Sequence, residues 1–469
     1  MNSWIDQKNQ MDSVRWKNLE RLIKPQSVAI IGASSNPNKT SGRPLRYLQQ
    51  DGFHGKIWPV NHGRAQIDGI PCFNTIRNLP DTPDVGIIML GPRSTQAAVA
   101  ELSELGCAAA IVVGSGYAEI GSEGKEIQDA LLQYSGDMRL LGPNTIGMLN
   151  IIDGITLSAS GALDIKDRIK GNIAILSQSG GILGSLLSRA AEKGIGLSHL
   201  VATGNEADIE ISDLMSAYAK DPNTRVISLY IESIRDKEKF EQAADSVKRA
   251  GKPIIAYKVG RSKAGIKSTA SHTGALAGKD EIYDGFFAQT GIIRAKRYDD
   301  LLDVPQMLVA NKFLKGKRLG VLTTTGGAGS LIADICGIAG FTTPDPDKIT
   351  KIKLNNLLEH SGFSSERNPI DLTLAGLKPK IIRGAIRALL ESPRYDAIIS
   401  IVGSSGVGRP DLVAEPVIEL SAKAEKPIII YASPAAPEII KRLNRNNIPA
   451  FNCPETCAAA LSALLRIKE

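Results

Sequence analysis

The stretch Ser268-Thr-Ala-Ser-His-Thr-Gly-Ala-Leu-Ala-Gly278 places His272, one of five histidines in the chain, among hydroxyls and small residues. Nothing beside it is designed for packing, so the imidazole is left to meet something else. A neutral ring nitrogen can act as a nucleophile, and a carboxylate on the other nitrogen would fix the tautomer that exposes it. The preceding run 253–259 reads as a buried strand that turns out through Val259-Gly-Arg-Ser262, leaving the histidine on a loop. Taken alone, a loop histidine with a satisfied hydrogen bond is the more ordinary reading.

Three further segments bear on it. Ile173-Ala-Ile-Leu-Ser-Gln-Ser-Gly-Gly-Ile-Leu-Gly-Ser185 runs from an apolar strand into Ser179, Gly180 and Gly181, and a helical pattern follows. The first N–H groups of a helix lack partners, and the helix dipole adds positive potential there, so this end attracts anions. Leu319-Gly-Val-Leu-Thr-Thr-Thr-Gly-Gly-Ala-Gly-Ser330 repeats the device with Thr325, Gly326 and Gly327. Either one alone is an ordinary strand-to-helix turn; two of them beside a histidine point to a phosphate held between helix ends. Glu232 follows the strand-like run 226–231, at the carboxyl end where open α/β sheets bind ligands. A solvated acid at a strand end is its plainer reading.

These residues resemble the alpha subunit of the ADP-forming acetate–CoA ligases, in the succinyl-CoA synthetase superfamily, over nearly the whole chain after about residue 20. The resemblance implies that His272 is phosphorylated during turnover and that Glu232 supports its ring. It implies too that Ser179-Gly180-Gly181 and Thr325-Gly326-Gly327 hold the phosphoryl group. The N-terminal third looks like the family's CoA-binding domain: Ser27-Val-Ala-Ile-Ile-Gly-Ala-Ser34, then Asn36 to Gly42, then Gly52-Phe-His-Gly-Lys-Ile-Trp-Pro-Val-Asn61. On that basis Gly32, Ala33, Ser34, Lys39, Val60 and Asn61 would bind the nucleotide end of CoA. Val113-Gly-Ser-Gly-Tyr-Ala-Glu119 and Leu141-Gly-Pro-Asn-Thr-Ile-Gly147 resemble segments lining the path to the histidine, which adds Ser115, Pro143 and Asn144. Lys39 as an exposed loop lysine, and Gly142-Pro143-Asn144 as a simple chain reversal, are the plain alternatives.

The elements that must position these residues follow from length and pattern. A chain of 469 residues exceeds a single core, and short apolar strands alternate with helical patterns from end to end, the mark of parallel α/β sheets. The expected fold is an N-terminal Rossmann-like CoA-binding domain followed by two flavodoxin-like parallel α/β domains. We expect an N-terminal tail at 1–20, the CoA-binding domain at 21–150, a ligase domain carrying the histidine at 151–296, and a second at 297–469. Linkers are expected near 153–170 and 294–317, with a connecting helix at 298–314.

Composition narrows the classes. A net charge of +7 spread without a basic run gives no nucleic-acid patch. The five cysteines imply no disulfide framework, and Cys453 and Cys457, lacking a second pair or a nearby histidine, read as helix-start packing rather than a metal site. No signal peptide and no apolar membrane span is evident, which suggests a reducing cytosol. No Walker lysine loop is present, nor anything like the ATP-grasp domain the family uses. An ATP-grasp beta subunit carrying Mg²⁺ with ADP or ATP is therefore expected as partner in a hetero-oligomer, with CoA and a small organic acid as substrates. Two rival readings are a non-catalytic CoA-binding regulatory or scaffold protein, and a dinucleotide oxidoreductase. The scaffold needs neither His272 nor the glycine turns. The oxidoreductase lacks the ribose-binding acid, since Trp58-Pro-Val-Asn61 stands in its place.

Overall fold

The computed structural model describes residues 2–273, 280–310, 312–357 and 366–467, with side chains at 2–11 and 269–273 left aside. Residues 1–188 and 197–295 form one compact unit, and 189–196 with 296–469 form another.

The first unit holds two sheets. In the first, Ser27–Ile31 lies between Lys56–Val60 and Val85–Ile88, and Ala109–Val112 and Arg139–Leu141 extend the sheet in parallel. Val28, Ala29 and Ile30 are fully buried, as expected for a strand covered on both faces. The N-terminal segment, expected as a tail, is a helix over Asn2–Ile23. Leu19 and Leu22 are its buried anchors and belong to the core of this unit.

The second sheet places Lys170–Ser177 between Val226–Ile231 and Leu197–Ala202, with Ile254–Lys258 and Ile293–Arg294 beyond, all parallel. Its other edge is antiparallel: Met148–Asn150 pairs with Leu197–Ala202, and Ile155–Leu157 pairs with Met148–Asn150. The stretch read as a linker at 153–170 is thus partly strand. It is also tied down, because Arg168 Nη1 donates to Asp51 Oδ2 at 2.7 Å.

The second unit carries a parallel sheet in the order Ile370–Asp371, Leu319–Thr323, Ala397–Val402, Ile428–Ala432, Ala450–Phe451. The connecting helix spans Asp300–Leu308, shorter than the 298–314 expected. Lys193 Nζ ion-pairs with Asp303 of that helix at 2.7 Å, and 189–196 belongs to this unit. The helix Pro454–Leu464 starts directly after Cys453, and Cys457 is fully buried on it.

Candidate active site

Parallel strands leave their carboxyl ends at one edge of a sheet, and in the first unit three of these ends surround a cavity of about 410 Å³. Gln178, Ser179, Gly180 and Gly181 follow Lys170–Ser177; Glu232, Ser233 and Arg235 follow Val226–Ile231; Gly204, Asn205 and Glu206 follow Leu197–Ala202. Thr40, Arg43, Asn144, Thr145 and Ile146 come from the CoA-domain side of the same unit.

The Ser177 hydroxyl sets the glycine turn. It accepts from Ser179 N at 3.1 Å and donates to Ser179 O at 2.7 Å, and Leu183 N then closes the first helical turn on Ser179 O at 3.1 Å. The helix runs Gly180–Lys193. A Cβ on Gly180 would meet Ile146 Cγ2 at 2.6 Å, whereas one on Gly181 would project into open space. Gly180 is therefore needed for packing, and Gly181 leaves the helix start open to a ligand.

Glu232 is buried in the cavity wall, and its backbone N–H donates to Gln178 Oε1 at 2.6 Å. The His272 backbone lies in the last turn of a helix over Lys263–Thr273, not on the loop the sequence led us to expect. Ser262 starts that helix by accepting from Gly265 N at 3.0 Å, a hydroxyl cap that lets a run of small residues coil. The His272 side chain and residues 274–279 lie outside the described residues.

The residues expected at the nucleotide end of CoA are brought together. Gly32 N and Ala33 N both donate to Val60 O, at 3.0 and 3.2 Å, and Asn61 Nδ2 donates to Ala33 O at 2.6 Å. Gly32 has φ 85° and lies against Met89 and Leu90, where a side chain would be strained and crowded. Ser34 Oγ accepts from Asn36 N at 3.2 Å and opens the loop on which the exposed Lys39 stands. The second pair of loops is knit separately. Asn144 N donates to Gly114 O at 2.9 Å, bringing Pro143 and Asn144 beside Ser115, and Asn144 adopts φ 58°, which asparagine tolerates.

In the second unit Thr323 reproduces the part of Ser177. Its hydroxyl accepts from Thr325 N at 2.9 Å and donates to Thr325 O at 2.8 Å, and the helix Gly326–Ile338 follows. Gly327 again faces open space, and Asp371 Oδ2 stands 3.2 Å from the Cβ position of Gly326.

Sequence reasoning missed Glu206 and Asn205. Burial pushes the Glu206 carboxyl up to about 7, against hydrogen bonds from Thr203, Gln178 and Ile211 and the charge of Arg235. The available signal was position: Thr203-Gly-Asn-Glu206 follows a buried strand whose carboxyl end reaches the same edge as Ser179 and Glu232.

Comparison with known proteins places this arrangement. Residues 26–150 match the family model of a CoA binding domain, and residues 170–308 that of the succinyl-CoA ligase like flavodoxin domain. The chain is 34% identical to the alpha subunit of acetate–CoA ligase [ADP-forming] I of Pyrococcus furiosus, over 96% of this chain and 97% of that subunit. It is 32% identical to acetate–CoA ligase [ADP-forming] of Methanocaldococcus jannaschii, of whose length it covers 64%. The dinucleotide-forming acetyl-coenzyme A synthetase 1 of Ca. Korarchaeum cryptofilum, solved in complex with phosphate and ADP, superposes with a TM-score of 0.85. It is 32% identical, with 96% of each chain covered. Among the described residues no helix is long and apolar enough to cross a membrane. The chain belongs to the ADP-forming acetate–CoA ligase family, as an ADP-forming acid–CoA ligase of the alpha-subunit type with a CoA-binding domain.

Proposed function

We propose that this chain carries the CoA-binding and phosphohistidine half of an ADP-forming acyl-CoA ligase, interconverting acyl-CoA, ADP and phosphate with acid, CoA and ATP. The observation that carries the reading is the convergence of Ser179, Gly181 and Glu232 on one cavity, which the CoA-domain loops also line. Phosphate attacks the thioester carbonyl and CoA leaves as the thiolate, giving an acyl phosphate. An unprotonated nitrogen of His272 then attacks phosphorus, and the carboxylate of the acid departs. Glu232 holds the opposite ring N–H and offsets the charge that develops on the imidazole. The helix starts at Ser179-Gly180-Gly181 and Thr325-Gly326-Gly327 stabilise the phosphoryl oxygens by fixed N–H dipoles.

In this reading Gly32, Ala33, Ser34, Lys39, Val60 and Asn61 hold the nucleotide end of CoA, and Ser115, Pro143 and Asn144 lie along its path. The naming of the Pyrococcus furiosus relative as a subunit supports a partner chain. We assign that partner the ATP-grasp domain and Mg²⁺ with ADP or ATP, and place the complex in the cytoplasm. The test is acyl-CoA-dependent incorporation of radioactive phosphate as an acid-labile, base-stable adduct on His272. A wild-type chain that stays unlabelled with a panel of short-chain, branched and aryl acyl-CoAs would favour the scaffold reading instead.

A further inference from the structure

The turn Thr203-Gly-Asn-Glu206 has no part in the chemistry described so far. Glu206 is 5% exposed with φ 52°, and its carboxylate accepts three hydrogen bonds. Oε1 takes Thr203 Oγ1 at 2.9 Å and Ile211 N at 3.0 Å, and Oε2 takes Gln178 Nε2 at 2.7 Å. Gln178 is used to capacity in turn. Its Nε2 also donates to Ser233 O at 2.8 Å, and its Oε1 accepts from Glu232 N at 2.6 Å and Ser233 N at 3.0 Å.

These partners allow the amide only one orientation. Turned by half a revolution, its oxygen would face the Glu206 carboxylate and the Ser233 carbonyl, and its NH₂ would face two backbone N–H groups. All four bonds would be lost together, at a partly buried site where unmet polar groups are costly. The Glu206 carboxylate thus supplies one of the four bonds that hold Gln178 in this orientation, and the other three tie Gln178 to the backbone from which the Glu232 side chain leaves. The turn is itself anchored: Asn205 Nδ2 donates to Gln128 Oε1 at 3.0 Å, and Asn144 Nδ2 donates to Asn205 Oδ1 at 3.2 Å.

We propose that Glu206 and Gln178 are a positioning pair that aims the Glu232 carboxylate through the Glu232–Ser233 backbone. The assignment rests on the reaction proposed above, in which Glu232 supports the phosphorylated histidine. Neither residue contacts the transferred group; their effect is on where Glu232 points.

The experiment compares Glu206→Leu, Glu206→Gln and Gln178→Ala in the full chain by two readouts. The first is hydrogen exchange at the Glu232 and Ser233 amides, which needs no turnover. The second is the rate of acyl-CoA-dependent phosphorylation alongside the KM for acyl-CoA. Glu206→Leu and Gln178→Ala should each speed exchange at both amides and slow phosphorylation by about 10-fold or more, with KM within about 2-fold of wild type. Glu206→Gln can offer its one oxygen to Gln178 Nε2, but its NH₂ then faces the Ile211 N–H, so it should recover only part of both losses. Gln178 lies at the cavity wall, so Gln178→Ala decides the matter even where Glu206→Leu does not fold. Unchanged exchange in Gln178→Ala, or a wild-type phosphorylation rate in that variant despite faster exchange, would overturn the proposal. Faster exchange in the variants of a wild-type chain that never becomes labelled would support the pair while removing the reaction proposed for the site.

Discussion

The Arg139 guanidinium meets the Asp208 carboxylate at 2.9 Å, with side-chain exposures of 6% and 8%. Arg139 begins the edge strand Arg139–Leu141 of the first sheet, and Asp208 follows the strand Leu197–Ala202 of the second, so this buried pair ties the CoA-binding domain to the ligase sheet. Asp208 Oδ2 also accepts from Leu140 N at 2.8 Å, and Asp213 stands 3.4 Å from the same arginine. Asp208→Asn keeps the shape but leaves Arg139, and Arg15 which also pairs with Asp208, short of a charge. Breaking a buried pair in this way costs about 3–5 kcal/mol, and the residual Asp213 contact argues for the lower end. Denaturant unfolding of the variant should show that loss; a midpoint equal to wild type would make the pair energetically idle.

Gly180 and Gly181 should separate folding from anion binding. A methyl on Gly180 collides with Ile146, and overpacking of this kind costs about 1–3 kcal/mol. A methyl on Gly181 touches nothing and should change stability by no more than about 0.5 kcal/mol, while standing at the helix start assigned to the phosphoryl group. Gly181→Ala is therefore expected to weaken phosphate binding at an unchanged melting temperature, and Gly180→Ala to lower that temperature. Phosphate titration by calorimetry beside thermal unfolding checks both. Equal phosphate affinity in Gly181→Ala and wild type would remove this turn from the phosphate site.

How far the sequence could carry these arguments depends on what each residue answers to. The strand Val226–Ile231 was legible because a strand buried on both faces needs a nearly continuous apolar run, and this one, interrupted only at Ser228, is visible without coordinates. The turn at Ser177-Gln-Ser179 was legible for a related reason, since hydroxyls and glycines mark a helix start wherever it lies. Glu206 was not legible. Its environment is assembled by Gln178, Thr203 and Ile211, whose meeting depends on strand order within the sheet. The sequence also hid the helical backbone at His272, because small polar residues suit a loop and a capped helix end equally well. The N-terminal helix was hidden by its composition: Leu19 and Leu22 are its buried anchors within a mostly polar stretch.

His199 should shape the acid limb of stability. It is buried against the Tyr218 ring at 4.6 Å, and Asp221 Oδ2, 3.5 Å from its Nδ1, is too far for a good hydrogen bond. Burial outweighs the pull of Asp221 and Asp153 and lowers its pKa to about 4, from an ordinary 6.5. Between those values the unfolded chain binds a proton that the folded chain refuses. The stabilisation is complete above pH 6.5 and is lost as pH falls toward 4, about 3 kcal/mol in all. His199→Phe keeps a ring against Tyr218 and should flatten this limb by close to one proton's slope. An identical pH dependence in variant and wild type would show that His199 keeps its ordinary pKa.

The two residues at the centre of the proposed chemistry should fail differently. His272→Ala removes the nucleophile, so acyl-CoA-dependent labelling and ligase activity should vanish while CoA binding persists. Glu232→Gln keeps an oxygen for the ring N–H but no charge, and should slow phosphorylation by roughly 100-fold or more with the fold intact. Label surviving in His272→Ala would move the nucleophile elsewhere, and a wild-type rate in Glu232→Gln would make that carboxylate a bystander.

The purified chain without a partner should complete the first half of the reaction and stop. Forming phosphohistidine requires a CoA site, a nucleophile and dipoles for the phosphoryl oxygens. The residues assigned to these tasks all lie on this chain, from the Gly32 turn to the helix starts after Ser177 and Thr323. Passing the phosphoryl group to ADP requires a nucleotide site with carboxylates for Mg²⁺, which the function proposed above assigns to a partner chain. Exchange of isotope between phosphate and the chain-bound label should therefore proceed with acyl-CoA present, at a reduced rate where the partner helps to shape the acid pocket. Adding ADP and Mg²⁺ should release no ATP until an ATP-grasp subunit is supplied. ATP made by the verified, partner-free chain would refute the division of labour and place a nucleotide site within these 469 residues.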